Sequence, residues 1–126
     1  MTAVFSPHAP ALIGPYSHGR LHNGVLYAAG QLGIDPATGA LVSDDPVEQL
    51  QQCLRNIDAV AQAAGTRLGN TLKVTLMLTS FERMPELNAA YAAFFADPFP
   101  ARATLQVAGL PMAAKVEVDA ILMVPA

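Results

Sequence analysis

Asp45-Pro46-Val47-Glu48-Gln49-Leu50-Gln51-Gln52-Cys53-Leu54-Arg55-Asn56-Ile57-Asp58-Ala59-Val60-Ala61-Gln62-Ala63-Ala64-Gly65 decides the fold. Asp45 is a good N-cap, Pro46 suits the first helical position, and Glu48 lies three residues after the cap, as in a capping box. Val47, Leu50, Leu54, Ile57, Ala61 and Ala64 recur at steps of three and four, which is the period of one helical face. Glu48, Gln51, Gln52, Arg55 and Asp58 fall mostly on the other face. Gly65 supplies the C-terminal stop. A helix with one apolar stripe covers something on one side only, and the sequence around it supplies a sheet.

Just downstream, Thr71 to Thr79 alternates. Leu72, Val74, Leu76 and Leu78 take one side of a strand, and Lys73, Thr75, Met77 and Thr79 take the other. Leu87, Ala90, Tyr91, Phe94 and Phe95 predict a second helix over 85–96, ended by Asp97-Pro98. Ala101 to Val107 reads as a strand, and Gly109-Leu110-Pro111 as a turn. Lys115 to Val124 is the last strand, with Val116, Val118, Ala120 and Leu122 on one face. Upstream, residues 1–15 carry three prolines and read as extended chain. Tyr16 to Arg20 forms a short strand, Asn23-Gly24 a turn, and Val25 to Ala29 a buried strand stopped by Gly30. The order is β-β-α-β-α-β-β, with room for one further strand before it. That order predicts an α+β layer, a mixed β-sheet with two helices on one face.

The 126 residues make one domain, 1–126. Hydrophobic residues are 52% of the chain and charged residues 13%. Small soluble domains usually carry nearer ~25% charge, so the excess apolar surface predicts cover by another copy of the chain. A net charge of -3 with seven Lys+Arg argues against nucleic acid as a partner. No apolar run reaches the ~18 residues of a membrane span. The first residues lack the pattern of a signal peptide. One cysteine, Cys53, forms no intrachain disulfide, suits a reducing cytoplasm, and reads as a core filler. His8, His18, His22 and Cys53 are too few and too scattered for zinc, so no metal is expected.

Among the charged residues, Arg102, Thr104 and Gln106 share one strand face, and Lys115, Glu117 and Asp119 share another. A tight connection near Gly109-Leu110 would make Arg102 and Glu117 antiparallel neighbours. Such a pair can be an ordinary cross-strand ion pair. It can also be a site, with the planar guanidinium gripping a carboxylate and Glu117 handling a water. Glu82 and Arg83 read as solvated. Tyr16 follows the turn Gly14-Pro15. Gly30 either lets a ligand approach the backbone or ends a strand. Ser17 and Thr104 have no histidine and acid at motif spacing, so nucleophilic catalysis is not indicated.

Five motifs then occur in order: Gly14-Pro15-Tyr16-Ser17-His18-Gly19, Ala29-Gly30-Gln31-Leu32, Asn88 to Phe95, Phe99-Pro100-Ala101-Arg102-Ala103-Thr104, and Lys115 to Ala120. Together they resemble the RidA, or YjgF, family of reactive-intermediate deaminases over essentially the whole chain. The resemblance implies the chorismate-mutase-like α+β fold and a homotrimer with three inter-subunit clefts. It implies cofactor-free hydrolysis of 2-imino acids, or their enamine tautomers, to 2-oxo acids and ammonium. By the same resemblance Arg102 holds the substrate carboxylate, Glu117 helps to hold the attacking water, and Tyr16, Gly30 and Thr104 line the cleft. Residue 104 is cysteine in many members and threonine here, a departure that bears on substrate preference. A non-catalytic trimer that binds small carboxylates or keto acids is the competing reading, since Arg102 serves either role. Chaperone and nuclease roles occur in the wider family. The net charge speaks against a nuclease, and a buried apolar face speaks against a chaperone.

Overall fold

The structure is a computed structural model and describes residues 1–126. Six strands, β1 (Thr2–Val4), β2 (Gly19–His22), β3 (Val25–Leu32), β4 (Thr71–Leu78), β5 (Ala101–Gln106) and β6 (Val116–Met123), form one mixed sheet. The helices α1 (Pro46–Ala63) and α2 (Met84–Ala92) follow β3 and β4. The strand order is β1-β2-β3-β6-β4-β5. The expected α+β mixed sheet with its two helices is therefore present, and the extra strand at the start is β1. No helix is long and apolar enough to cross a membrane.

The first helix begins and ends as its sequence dictates. The Asp45 side chain accepts a hydrogen bond from the Glu48 N–H. The capping box is closed through a neighbour. Glu48 accepts from the Ser43 hydroxyl at 2.7 Å, and that hydroxyl accepts from the Asp45 N–H at 3.0 Å. At the other end Gly65 takes a φ of +85°, Thr66 N–H donates to Ala61 and Gly65 N–H to Gln62. This is a Schellman stop, which needs the left-handed residue that glycine provides.

Between these ends Leu50, Cys53, Leu54, Ile57 and Val60 are fully buried against Leu26, Val74, Leu76, Val116, Val118 and Leu122. Each large side chain of this kind contributes ~1.5–3 kcal/mol. Burial raises the Cys53 thiol pKa far above its ordinary value, and the Glu117 charge adds to the shift.

Two polar residues sit inside the same stripe. Gln49 donates to Ser43 O at 2.8 Å and accepts from the Lys115 N–H at 2.8 Å. Asn56 donates to Leu32 O at 3.1 Å and Ile34 O at 2.9 Å, and accepts from Gln52 at 2.8 Å. The loop after β3 and the start of β6 are thus tied to α1 by side-chain amides. Gly33 packs there because a Cβ would lie 2.7 Å from Gln49 Cα.

The last strand departs from the expected order. β6 does not pair with β5. It runs antiparallel to both β3 and β4 and separates them, while β5 pairs with β4 in parallel at the edge. Burial explains the choice. Val116, Val118, Ala120 and Leu122 are all buried, which requires a central strand, whereas β5 has no buried residue. β4 and β5 are joined by a parallel crossover through α2, and β3 and β4 by one through α1 that leaves a slot between them. β6 fills that slot.

Smaller differences have local causes. β3 does not stop at Gly30 but runs to Leu32 with a bulge between Ala28 and Gln31. The strand placed over 16–20 is formed over 19–22. A second register shift at Thr71/Lys73 turns Leu72 outward, where it is half exposed. α2 ends at Ala92, and turns then carry Phe94 and Phe95 onto the core. Arg83 is not simply solvated: it pairs with Glu86 and with the α1 cap Asp45.

Replacing Asn56 by Ala strands two buried carbonyls and should cost about 2–3 kcal/mol. Urea unfolding at fixed protein concentration measures this. A loss under about 0.5 kcal/mol would show that the amide is no tether.

Candidate active site

The N-terminal segment makes one wall of the site. After β1, Ser6, Pro7 and His8 lie beside Arg55, Asp58 and Ala59 of α1, and the segment over 10–16 then faces Gly30, Leu32 and Glu117. His18 holds this strap in place. Its Nδ1 accepts from the Ser6 N–H at 3.0 Å, and its Nε2 lies 2.8 Å from Pro10 O. The first contact leaves the proton on Nε2, which donates to the carbonyl. The ring is buried.

Below the strap lies a cavity of about 490 Å³, lined by Ile13 and Tyr16 from the strap and by Gly30, Leu32, Ile34 and Glu117 from beneath. Three of the expected site residues, Tyr16, Gly30 and Glu117, therefore share one chamber. Glu117 stands opposite Leu32 across β3–β6 and opposite Met77 across β4–β6. Gly30, at the bulge, faces that carboxylate: a Cβ there would lie 2.5 Å from Glu117 Oε1 and would push the carboxylate aside. The glycine lets the acid press against the backbone, so Gly30 serves an approach and does not end the strand. Burial holds the Glu117 carboxyl above its ordinary value, and Asp119, two residues along the same face, adds to the rise.

Arg102 and Thr104 are elsewhere. They stand opposite Val74 and Leu76 on β4, whose side chains are buried under the helices, so both face the helical side of the sheet. Glu117 faces the other side, with Asp119, Ile121 and Met123. Strand β4 intervenes, so the backbones of β5 and β6 are on the order of 10 Å apart. Arg102 and Glu117 are therefore not cross-strand neighbours. The expectation failed because it assumed a β5–β6 hairpin. The ordinary ion-pair reading fails with it: both salt bridges of the chain belong to Arg83. Arg102 instead donates from Nη2 to Asn88 Oδ1 at 2.9 Å and lies 4.7 Å over the Tyr91 ring.

The face that carries Glu117 has no helix upon it. Tyr27, Leu105 and Met123 on it are each between 42% and 50% exposed, an apolar share that a lone small domain rarely leaves bare. In the sequence His18 reads only as one of several scattered histidines and as part of the Gly14–Gly19 motif, and its clamping role has no local signal because a lone histidine in a proline-rich segment has no periodic partner. The signal for Gln49 and Asn56 was present: two amides seven residues apart inside an apolar stripe.

The family model described as endoribonuclease L-PSP matches residues 6–124. The RutC family protein y4sK of Sinorhizobium fredii is 46% identical over 114 residues, 90% of each chain. The goat (Capra hircus) protein named 2-iminobutanoate/2-iminopropanoate deaminase is 44% identical over 118 residues, 94% of this chain and 86% of that one. Among solved structures, RidA from the Antarctic bacterium Psychrobacter sp. PAMC 21119 superposes with a TM-score of 0.94 at 35% identity, covering 98% of this chain and 100% of the other.

The raised Glu117 pKa sets a pH signature. A carboxyl that holds its proton more tightly in the folded state favours folding in acid, and that contribution is lost as pH rises through the folded value. Ionised Glu117 thus weighs against the fold at neutral pH. Glu117→Gln should raise the unfolding midpoint at pH 7, and the gain should vanish once the pH falls below the ordinary value of 4.5. A thermal melt series reads this directly, and a variant less stable than wild type at pH 7 would contradict it.

Proposed function

The chain belongs to the endoribonuclease L-PSP family, the family of RidA and YjgF, and from that premise we propose that it deaminates reactive 2-imino acids by hydrolysis. The substrates are of the 2-aminoacrylate and 2-iminobutanoate type, and the products are 2-oxo acids and ammonium. The observation that carries the reading is the pair of half-sites on opposite faces of one sheet. One is a cavity with a protonatable carboxylate, and the other is an arginine without an acid.

Neither half is a complete site within one chain. A second copy laid against the open sheet face brings its Arg102 and Thr104 to the Tyr16–Gly30–Glu117 cavity of the first. Closing such contacts around an axis gives the homotrimer of the chorismate-mutase-like fold, with three inter-subunit clefts. The exposed Tyr27, Leu105 and Met123 support this assembly.

In the assembled cleft Arg102 grips the substrate carboxylate at two points and fixes the imine carbon. Glu117 accepts a proton from a water as the water oxygen bonds to that carbon and the C=N pair moves to nitrogen, and it passes that proton to the nitrogen to give a neutral carbinolamine. Glu117 then takes the proton of the new hydroxyl as the C=O forms and delivers it to the nitrogen as the C–N bond breaks. The 2-oxo acid and ammonia result, and the ammonia is protonated in water. A carboxyl whose pKa lies above its ordinary value is a stronger base than a free carboxylate, which favours the first transfer. Gly30 offers its backbone to the ligand, Tyr16 bounds the cleft, and Thr104 lines it beside Arg102. Imines hydrolyse in water unaided, so orientation and one placed acid–base group suffice, and no cofactor is called upon. A cytoplasmic role in clearing leaked imines fits a chain whose one thiol is sealed in the core.

A threonine dehydratase supplies 2-iminobutanoate, semicarbazide traps what remains, and this protein is added. Wild type should suppress trapping. Arg102→Ala should lose about 10- to 100-fold in kcat/KM, the worth of a charge-assisted pair, with the assembly unchanged by light scattering. Wild type that binds 2-oxobutanoate without suppressing trapping would instead establish the non-catalytic carboxylate binder. A scattering mass equal to one chain would overturn the shared cleft.

A further inference from the structure

We propose that Asn88 and Tyr91 of α2 are positioning residues that aim Arg102 while leaving its charge uncompensated for an incoming carboxylate. The inference rests on the reading of Arg102 as the carboxylate anchor and adds two residues that this reading does not use.

Three observations lead there. Arg102 is exposed, yet both of its side-chain contacts are with neutral groups. An amide oxygen takes one Nη2 proton at 2.9 Å, and an aromatic face lies 4.7 Å beneath the guanidinium carbon. Of the acids near the start of α2, Glu86 and Asp45 pair with Arg83, and no salt bridge joins Glu82 to Arg102. Tyr91 is itself only 5% exposed, and its Oη is the one buried side-chain polar atom without a partner. What the side chain offers Arg102 is therefore its ring face and not its hydroxyl. Burial also raises the phenol pKa, against the opposing pull of Arg102, so Tyr91 stays uncharged.

The physical logic concerns charge. A carboxylate at position 88 would fix Arg102 more firmly than an amide does, by a charge-assisted bond. It would also neutralise the cation that the substrate needs. An amide and a π face restrict the guanidinium, at modest energy, without supplying a counter-charge. The remaining N–H donors of the fork stay free for two-point contact.

Four variants separate this role from mere packing: Asn88→Asp, Asn88→Ala, Tyr91→Leu and Tyr91→Phe. Each is assayed for 2-oxobutanoate affinity by titration calorimetry, for KM and kcat on 2-iminobutanoate, and for melting temperature. Asn88→Asp should weaken 2-oxobutanoate binding about tenfold or more and raise KM by more than it lowers kcat, with a melting temperature equal to or above wild type. Asn88→Ala should lose less affinity than Asn88→Asp, although it removes more contact. Tyr91→Leu should raise KM, and Tyr91→Phe, which keeps the ring, should restore it. A structural contact alone predicts the reverse order at position 88, and Asn88→Asp binding as tightly as wild type overturns the proposal. Tyr91→Phe as impaired as Tyr91→Leu removes the ring-face role. If Arg102→Ala abolishes binding while Asn88→Asp binds as tightly as wild type, this inference falls and the anchor stands. If wild type neither binds nor hydrolyses, the anchor reading falls and takes this one with it.

Discussion

Strand β6 is the constraint on which the rest of the molecule depends. Its alternate residues Val116, Val118, Ala120 and Leu122 are buried, with at most 3% exposure, so it must lie between other strands and beneath a helix. Once it occupies the slot between β3 and β4, the intervening side chains Glu117 and Asp119 have no choice of direction: they face the bare side of the sheet. The two faces of this strand thus carry the two requirements of the protein, cohesion on one side and chemistry on the other. A slip of one residue would exchange them, placing two carboxylates in the core. The antiparallel ladders on both flanks, and the Gln49 amide holding the Lys115 N–H at its entrance, keep the register.

The position of Glu117 also shows how a site burdens its fold. The bulge at Gly30 and the absence of any Cβ there hold a carboxylate half-buried against the backbone, beside the Asp119 charge. None of these features helps folding at neutral pH. They are offset by the packing on the opposite face of the same strand, where α1 contributes an uninterrupted apolar stripe apart from two paired amides. The strap pinned by His18 then roofs the carboxylate without adding a charge of its own, since the ring is held as a neutral donor and acceptor.

How much of this was legible beforehand depended on whether the signal was local. The first helix was readable to the residue, because Asp45, Pro46 and Gly65 act within a single turn of chain. The alternation of β4 and β6 identified their buried faces, and the ordered short motifs indicated Tyr16, Gly30 and Glu117, which do share a cavity. Sheet order was not readable. Proximity in sequence favoured a β5–β6 hairpin, whereas the slot left by the α1 crossover, a property of the whole chain, drew β6 to the centre. That single misplacement is what made Arg102 and Glu117 look like neighbours. The bulge at Gly30 likewise looked like a strand end, since a glycine after five apolar or aromatic residues has the same appearance in either role. The reason for the glycine, the approach of Glu117, comes from nearly ninety positions away in the chain.

One feature of the core has a practical side. Cys53 is fully buried, its Sγ is within 3.7 Å of Val116 O, and its thiolate is strongly disfavoured. Thiol reagents act on exposed thiolate, so the folded protein is silent toward them. Any cysteine introduced at the surface becomes the only one that reacts, with no need to remove the native residue and leave a hole in the core. The chain is accordingly a ready background for single-site labelling. Spectroscopic probes, tethers or disulfide traps between copies can be placed at will, and each reports on one known position.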